Sequence, residues 1–186
     1  MGLSTDETIS CNKQDRASLA RLYLIPKCDI TSFTAGVLQD FTAVTLTTTA
    51  KVWFRYDGEF QTKSLSMEGT NDNGTATFTN TVEFKVKGMD KTVGFRMQEL
   101  IDEGKVVALV EGANSTGTNK IAYIVGWDNI ILGDAAAIPN VSGVIEGELA
   151  GANEFTIQLV AQHAEIVREF VGSIATNADG AVSFGS

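Results

Sequence analysis

The sequence predicts a mainly β protein, an antiparallel β-sandwich or barrel with one flanking α-helix. Three observations carry that expectation. From Phe41 to Tyr56 the chain is crowded with β-branched and aromatic residues, FTAVTLTTTAKVWFRY, which suit a pleated, half-buried surface. Residues 75–87 alternate, with Ala76, Phe78, Val82, Phe84 and Val86 at one parity and Thr75, Thr77, Thr79, Thr81, Glu83, Lys85 and Lys87 at the other. That is the period of a strand with one dry face and one wet face. A single segment, Thr92 to Glu103, spaces its apolar residues as a helix does.

Size and charge bound the rest. At 186 residues and 19.8 kDa the chain is expected to be one domain around one core, since a chain this long buries about 70% of its unfolded surface. A composition 44% hydrophobic and 20% charged excludes a disordered chain. The net charge of −9, with no cluster of Lys or Arg, argues against tight nucleic-acid binding. No apolar run approaches the ~20 residues that span a bilayer, so no membrane partner is expected. The N-terminal MGLSTDETIS has neither the basic start nor the apolar stretch of an export signal. Cys11 and Cys28 are therefore expected to be free thiols.

The elements follow in order. Residues 1–17, polar and aperiodic, are expected to form a flexible N-terminal arm ahead of a single domain spanning 18–171. Leu19 to Ile25 is a strand ended by Pro26. Phe41 to Tyr56 is expected to be one long strand, turning at Asp57-Gly58 into a return strand from Phe60 to Met67. The loop from Thr70 to Gly74 makes the next turn, and the alternating strand follows. In the helix, Val93, Met97, Leu100 and Ile101 form the stripe expected to pack on the core, leaving Glu99, Asp102 and Glu103 outside. Gly104 ends it. The run VVALV within Lys105 to Glu111 predicts a strand buried on both faces. Ile121 to Trp127 is another strand, followed by a turn at Asp128-Asn129 and the short run Ile130 to Leu132. Residues 133–153, rich in Gly, Ala and Asn, are expected to be an irregular connection. Phe155, Ile157, Leu159 and Ala161 share one face of a strand reaching His163, and Ile166 to Val171 is the last strand. Residues 172–186 are expected to form a flexible C-terminal tail.

The sequence gives catalysis no support, and no metal site or cofactor is expected. His163 stands alone at core spacing, and one His with two distant Cys makes a poor zinc set. The loop Asn71-Asp72-Asn73-Gly74 resembles part of a calcium loop, but Asn80 stands where its bidentate Glu belongs. What the sequence does present is an edge problem. The segment from Phe41 to Met67 sets Thr45, Thr47 and Thr49 on one face against Val44, Leu46, Val52 and Phe54 on the other. It carries no Pro and, before Arg55, a single Lys. Such a strand is either interior to a closed sandwich or meant to pair with a neighbouring subunit.

The order of elements resembles the tail tube proteins of tailed bacteriophages, those of gut-bacterial phages in particular. The resemblance runs over residues 11–171. It rests on Leu22-Tyr23-Leu24, the alternating Val82-Glu83-Phe84-Lys85-Val86, the helix, and above all VVALVE (106–111) followed by YIVGWDN (123–129), with Phe155-Thr156-Ile157-Gln158-Leu159 after them. The resemblance implies a tail-tube-like β-sandwich that self-assembles into hexameric rings stacked as a tube in the virion. Its partners would be itself and other tail or connector proteins, with DNA passing through the lumen unbound. Edges paired around a ring cease to be edges, and an acidic wall does not hold phosphate. On that footing Thr45, Thr47 and Thr49 are the candidate lumen-facing residues. The alternatives are a head–tail connector or capsid decoration protein, the inner tube of an injection or secretion system, or a binding module for carbohydrate with Trp53 and Trp127 as an exposed aromatic platform.

Overall fold

The computed structural model describes residues 19–37, 39–56, 64–87, 91–112, 120–145 and 153–185. The expected N-terminal arm, Cys11 and the expected Asp57-Gly58 turn lie outside them. In chain order the elements are β1 (Leu19–Pro26), β2 (Ile30–Ala35), β3 (Asp40–Leu46), β4 (Phe54–Tyr56), β5 (Ser64–Asp72), β6 (Thr75–Lys87), helix α1 (Lys91–Glu103), β7 (Val106–Gly112), β8 (Ala122–Val125), β9 (Ile138–Ile145), β10 (Asn153–His163), β11 (Arg168–Phe170), β12 (Ser173–Thr176) and β13 (Gly180–Ser183). A seven-stranded sheet runs β2-β3-β11-β8-β7-β1-β4, a four-stranded sheet runs β5-β6-β10-β9, and β12-β13 is a separate hairpin. Strand pairing is antiparallel apart from β3 with β11. The chain is thus mainly β and sandwich-like, with one flanking helix, as the sequence predicts.

Period two explains how the larger sheet is dry on both faces. In β7 every residue from Val106 to Val110 is buried. Val106, Ala108 and Val110 point into one core, and Val107 and Leu109 into a second. β1 divides the same way, with Leu22 and Leu24 on one side and Tyr23 and Ile25 on the other. The first core lies between the sheets and takes Val82 and Phe84 from β6, Ile157 and Leu159 from β10, and Met97 and Leu100 from α1. The second is rich in aromatics, joining Phe41, Trp53, Trp127, Phe170 and Phe184.

Four expectations are corrected. The long hairpin from Phe41 to Met67 does not form. β3 ends at Leu46, the Thr47 N–H bonds the Asp29 carbonyl, and a turn closed by the Lys51 N–H on the Thr48 carbonyl redirects the chain. The Lys51 ammonium, 2.9 Å from the Asp29 carboxylate, holds that turn. β4 then pairs with β1 at the far edge of the sheet, and β5 pairs with β6 in the other. Within a run dominated by β-favouring residues, only Ala50-Lys51, types that strands disfavour, marks the break. Second, residues 133–153 are not merely a connection. They contain β9, in which the β-branched Ile138, Val141, Val144 and Ile145 favour a strand that pairs with β10.

Third, the expected flexible tail contains β12 and β13. Ile174, Val182 and Phe184 are buried in the second core, and the Trp53 N–H and C=O bond Ala175 and Asn177. Fourth, Ile101 is 39% exposed, whereas Met97 and Leu100 are buried and Val93 packs at the core margin. At about 100° per residue, Ile101 stands about 80° from Val93 and about 100° from Leu100, beyond the stripe's edge.

Candidate functional site

The four-stranded sheet is the element whose chemistry differs most between its two faces. Register pairs Thr81 with Val160, Glu83 with Gln158 and Lys85 with Thr156 across β6 and β10, all on the face turned from the core. Ser64 and Ser66 of β5 and Asn140 and Ser142 of β9 continue it. The surface is therefore hydroxyl- and amide-rich. Lys85 on this face is tied to Glu154, with Nζ 2.5 Å from Oε1. The opposite face buries Val82, Phe84, Ile157 and Leu159.

Both edges of this sheet are open: β5 and β9 each have a strand on one side only. Neither carries a Lys or Arg, and the one Pro, Pro139, stands near the start of β9. Met67 on β5, and Ile138 and Val144 on β9, are exposed. Long strands with so few guards are templates for pairing with another chain. The β5–β6 hairpin turns at Asn73-Gly74, with φ of 50° and 87°, the left-handed pair of a type I′ turn that glycine accepts without strain. Residues 75–77 of β6 pair only with β5, because β10 ends opposite Phe78. The hairpin tip thus projects as an arm.

A second exposed surface is built by one carboxylate. Asp128, buried at 1% exposure, accepts the N–H groups of Ile130 and Ile131 on Oδ1 at 2.9 and 2.6 Å, and that of Ala164 on Oδ2 at 2.7 Å. Glu165 takes the Asn129 N–H at 2.7 Å and is gripped by the Arg168 guanidinium at 2.8 and 2.7 Å. The loop so held presents Ile130, Ile131 and Leu132 to solvent, with Leu132 at φ 53° and Ile166 exposed nearby in sequence to Ala164. Asp128-Asn129 is the turn the sequence predicts. Its role as an anchor for two loops was not legible.

Among the other sequence candidates, Thr45 is exposed on β3, and Thr47 and Thr49 are exposed in the bend that follows it. Val44 and Leu46 pack at the margin of the second core. The two parities separate only within β3: residues 47–51 are all exposed, and Phe54, expected on the packing face, is 46% exposed because the turn after β3 breaks the alternation. Phe54 is exposed and helps line a groove of about 430 Å³ between β1, β4 and α1, floored by Leu24, Leu100 and Val106 and edged by Glu99, Asp102 and Glu103. Trp53 and Trp127 are both buried, so neither forms an aromatic platform for carbohydrate. Tyr23 donates to Glu111 at 3.2 Å inside the larger sheet, and burial pushes its phenol up to about 12. Cys28 is a free, exposed thiol.

His163 lies on the inward face of β10, as its spacing predicts, and Asn80 on the inward face of β6 is buried too. The sequence does carry a signal for Asn80, since it occupies the gap between Phe78 and Val82 at the dry parity. Compared with known proteins, the chain matches no family model, no curated protein and no solved structure.

Proposed function

We propose that the chain is a structural subunit that assembles into stacked hexameric rings forming a phage tail tube, a conduit for DNA. One observation carries this: the four-stranded sheet has two open edges, a dry face and a hydroxyl- and amide-rich face. Joining β9 of one copy to β5 of the next is a heterologous contact, and heterologous contacts close into rings when the rotation allows. A closed ring of such sheets turns every edge into an interior pair. Its wet face then becomes the channel wall. Hydroxyls and amides hydrate such a wall, Glu154 pairs with Lys85 there, and the overall charge of −9 does not retain phosphate.

This moves the lumen from Thr45, Thr47 and Thr49 to the threonines of β6 and β10. Of the former, Thr45 stands on the larger sheet and Thr47 and Thr49 in the bend after it, and the open edge strands of that sheet are the short β2 and β4. The exposed Ile130–Leu132 loop precedes β9 and supplies apolar contact beside that edge.

Negative-stain electron microscopy of the purified chain tests the proposal, with six-fold rings or tubes as the expected result. A monodisperse monomer at high concentration overturns it. A proline placed in β5 at Met67 should abolish assembly while leaving the monomer folded: the type I′ turn makes Asp72 and Thr75 a hydrogen-bonded pair, so the N–H groups of Ser66 and Glu68 face β6 and that of Met67 faces outward.

A further inference from the structure

We propose that His163, Asn80 and one buried water molecule form an acid-sensitive latch at the base of the β5–β6 arm. The latch begins with a bond between the sheets. The Gly126 N–H, just past β8, donates to His163 Nε2 at 3.0 Å. A nitrogen that accepts carries no proton, so the neutral imidazole holds its hydrogen on Nδ1. Gly126 is held for this bond by its backbone: at φ 96° it sits where an added Cβ would lie 2.8 Å from the Val106 carbonyl oxygen.

The second half of the latch is three polar atoms without partners. His163 Nδ1 and both ends of the Asn80 amide are buried and find no hydrogen-bond partner among the described residues. Asn80 is opposite Ala161, and His163 is opposite Phe78, so the two are diagonal neighbours on one inward face. Diagonal residues stand about 7–8 Å apart at Cα. One water between them accepts the Nδ1 proton and serves both ends of the amide, giving the three or so hydrogen bonds typical of an internal water. Buried polar groups left unpaired are costly, and this arrangement pairs them.

The position gives the latch its consequence. His163 is the last residue of β10, and beyond its partner Phe78 the arm has no further support from β10. Protonation turns Nε2 from an acceptor into a donor facing the Gly126 N–H, so the link between the sheets is lost. The groups that face the ring are few. Asp128, after β8, and Glu165, in the loop after β10, favour the imidazolium, and Arg168 is engaged by Glu165. From β6 the neighbours are Phe78 and Asn80, neither charged. Burial is the larger effect and holds the imidazole below its ordinary value.

The sign follows. With the folded value lowered, the unfolded chain takes up the proton first. Stability is full above about pH 6.5 and declines as pH falls below it.

The experiment uses the full chain, in which His163 is the one histidine. Long-range nitrogen–proton NMR at pH 7.5 should show an Nδ1–H tautomer with a cross-peak from that proton to a long-lived water. An Nε2–H tautomer, or an Nδ1–H without the water, overturns the proposal. Amide exchange, corrected for its intrinsic pH dependence, should quicken severalfold, toward a ceiling of about tenfold for one histidine, in residues 75–82 between pH 7.5 and 5.5, with β7 unchanged. His163→Gln keeps an acceptor for Gly126 and does not titrate, so it should abolish that change. Full acid sensitivity in His163→Gln overturns the latch, and the tautomer measurement on the native chain decides the matter even if that variant fails to fold. None of these outcomes depends on tube formation.

Discussion

The two cores on either side of the seven-stranded sheet are built by different rules. The first is aliphatic for the most part, regular and sandwiched: β6 and β10 supply one residue in two, and α1 closes its flank. The second is aromatic and assembled from fragments, with Phe33 stacked near Phe41, Trp127 and Phe170 at centroid distances of 5.1, 5.3 and 6.3 Å, and Phe184 meeting both Tyr23 and Phe170 at 6.0 Å. A regular core arises from periodic strands. An irregular one needs large rings that reach across short, scattered elements, and such rings favour tilted and edge-on contacts at these distances. The lesson is that half of this interior obeys a pattern and the other half obeys shape.

The sharpest way to break that comparison is to remove the piece that closes the second core. Truncation after Gly172 deletes Ile174, Val182 and Phe184 from it. Burying three such side chains contributes about 5–9 kcal/mol, comparable with the whole stability of a domain. The truncated chain should therefore lack a cooperative melt. Because Trp53 and Trp127 are the chain's two tryptophans and both lie in the second core, red-shifted tryptophan emission checks the same point. A native spectrum from the truncated chain would make β12–β13 an accessory.

Single large truncations come next. Phe84→Ala in the first core and Phe170→Ala in the second should each cost about 3–5 kcal/mol in denaturant unfolding. Only the second should disturb tryptophan emission while the chain is still folded. The helix offers a smaller contrast. Met97→Ala should cost about 2–5 kcal/mol, whereas Ile101→Ala should stay within about 0.5 kcal/mol. Equal effects from the two would return Ile101 to the core. The finest test pairs Ile157→Val with Ile124→Val, one from each core. Each should cost about 0.5–1.5 kcal/mol, and the double variant should be additive within about 0.3–0.5 kcal/mol if the cores are independent.

The same division explains what was legible in the sequence. The alternation of β6 and β10, the doubly buried run in β7, the stop at Pro26 and the helix up to Gly104 were all readable, because each is a local pattern with one dominant period. The fragments of the second core were not. Trp53 sits between a turn and a three-residue strand, and Phe184 follows a hairpin of small residues, so neither has a periodic neighbourhood. Of the candidate site, the hydroxyl face of β6 was visible as a wet parity. Its place in a sheet with two open edges was not, because pairing partners far apart in the chain leave no local trace. Asn80 was readable as the polar residue at a dry position, but its meaning needed His163 beside it.

The order in which the chain is made carries its own consequence. β1, near the start, finds its central partner in β7, β3 pairs with β11, and the second core is completed by Phe184 at the end. A chain synthesised at about 5–20 residues per second exposes β1 on the order of ten to thirty seconds before Phe184 emerges. Contacts so distant in sequence make for slow folding. Completion of the two cores thus waits on residues as late as Phe184, and until then β1 and β7 expose apolar surface on both faces.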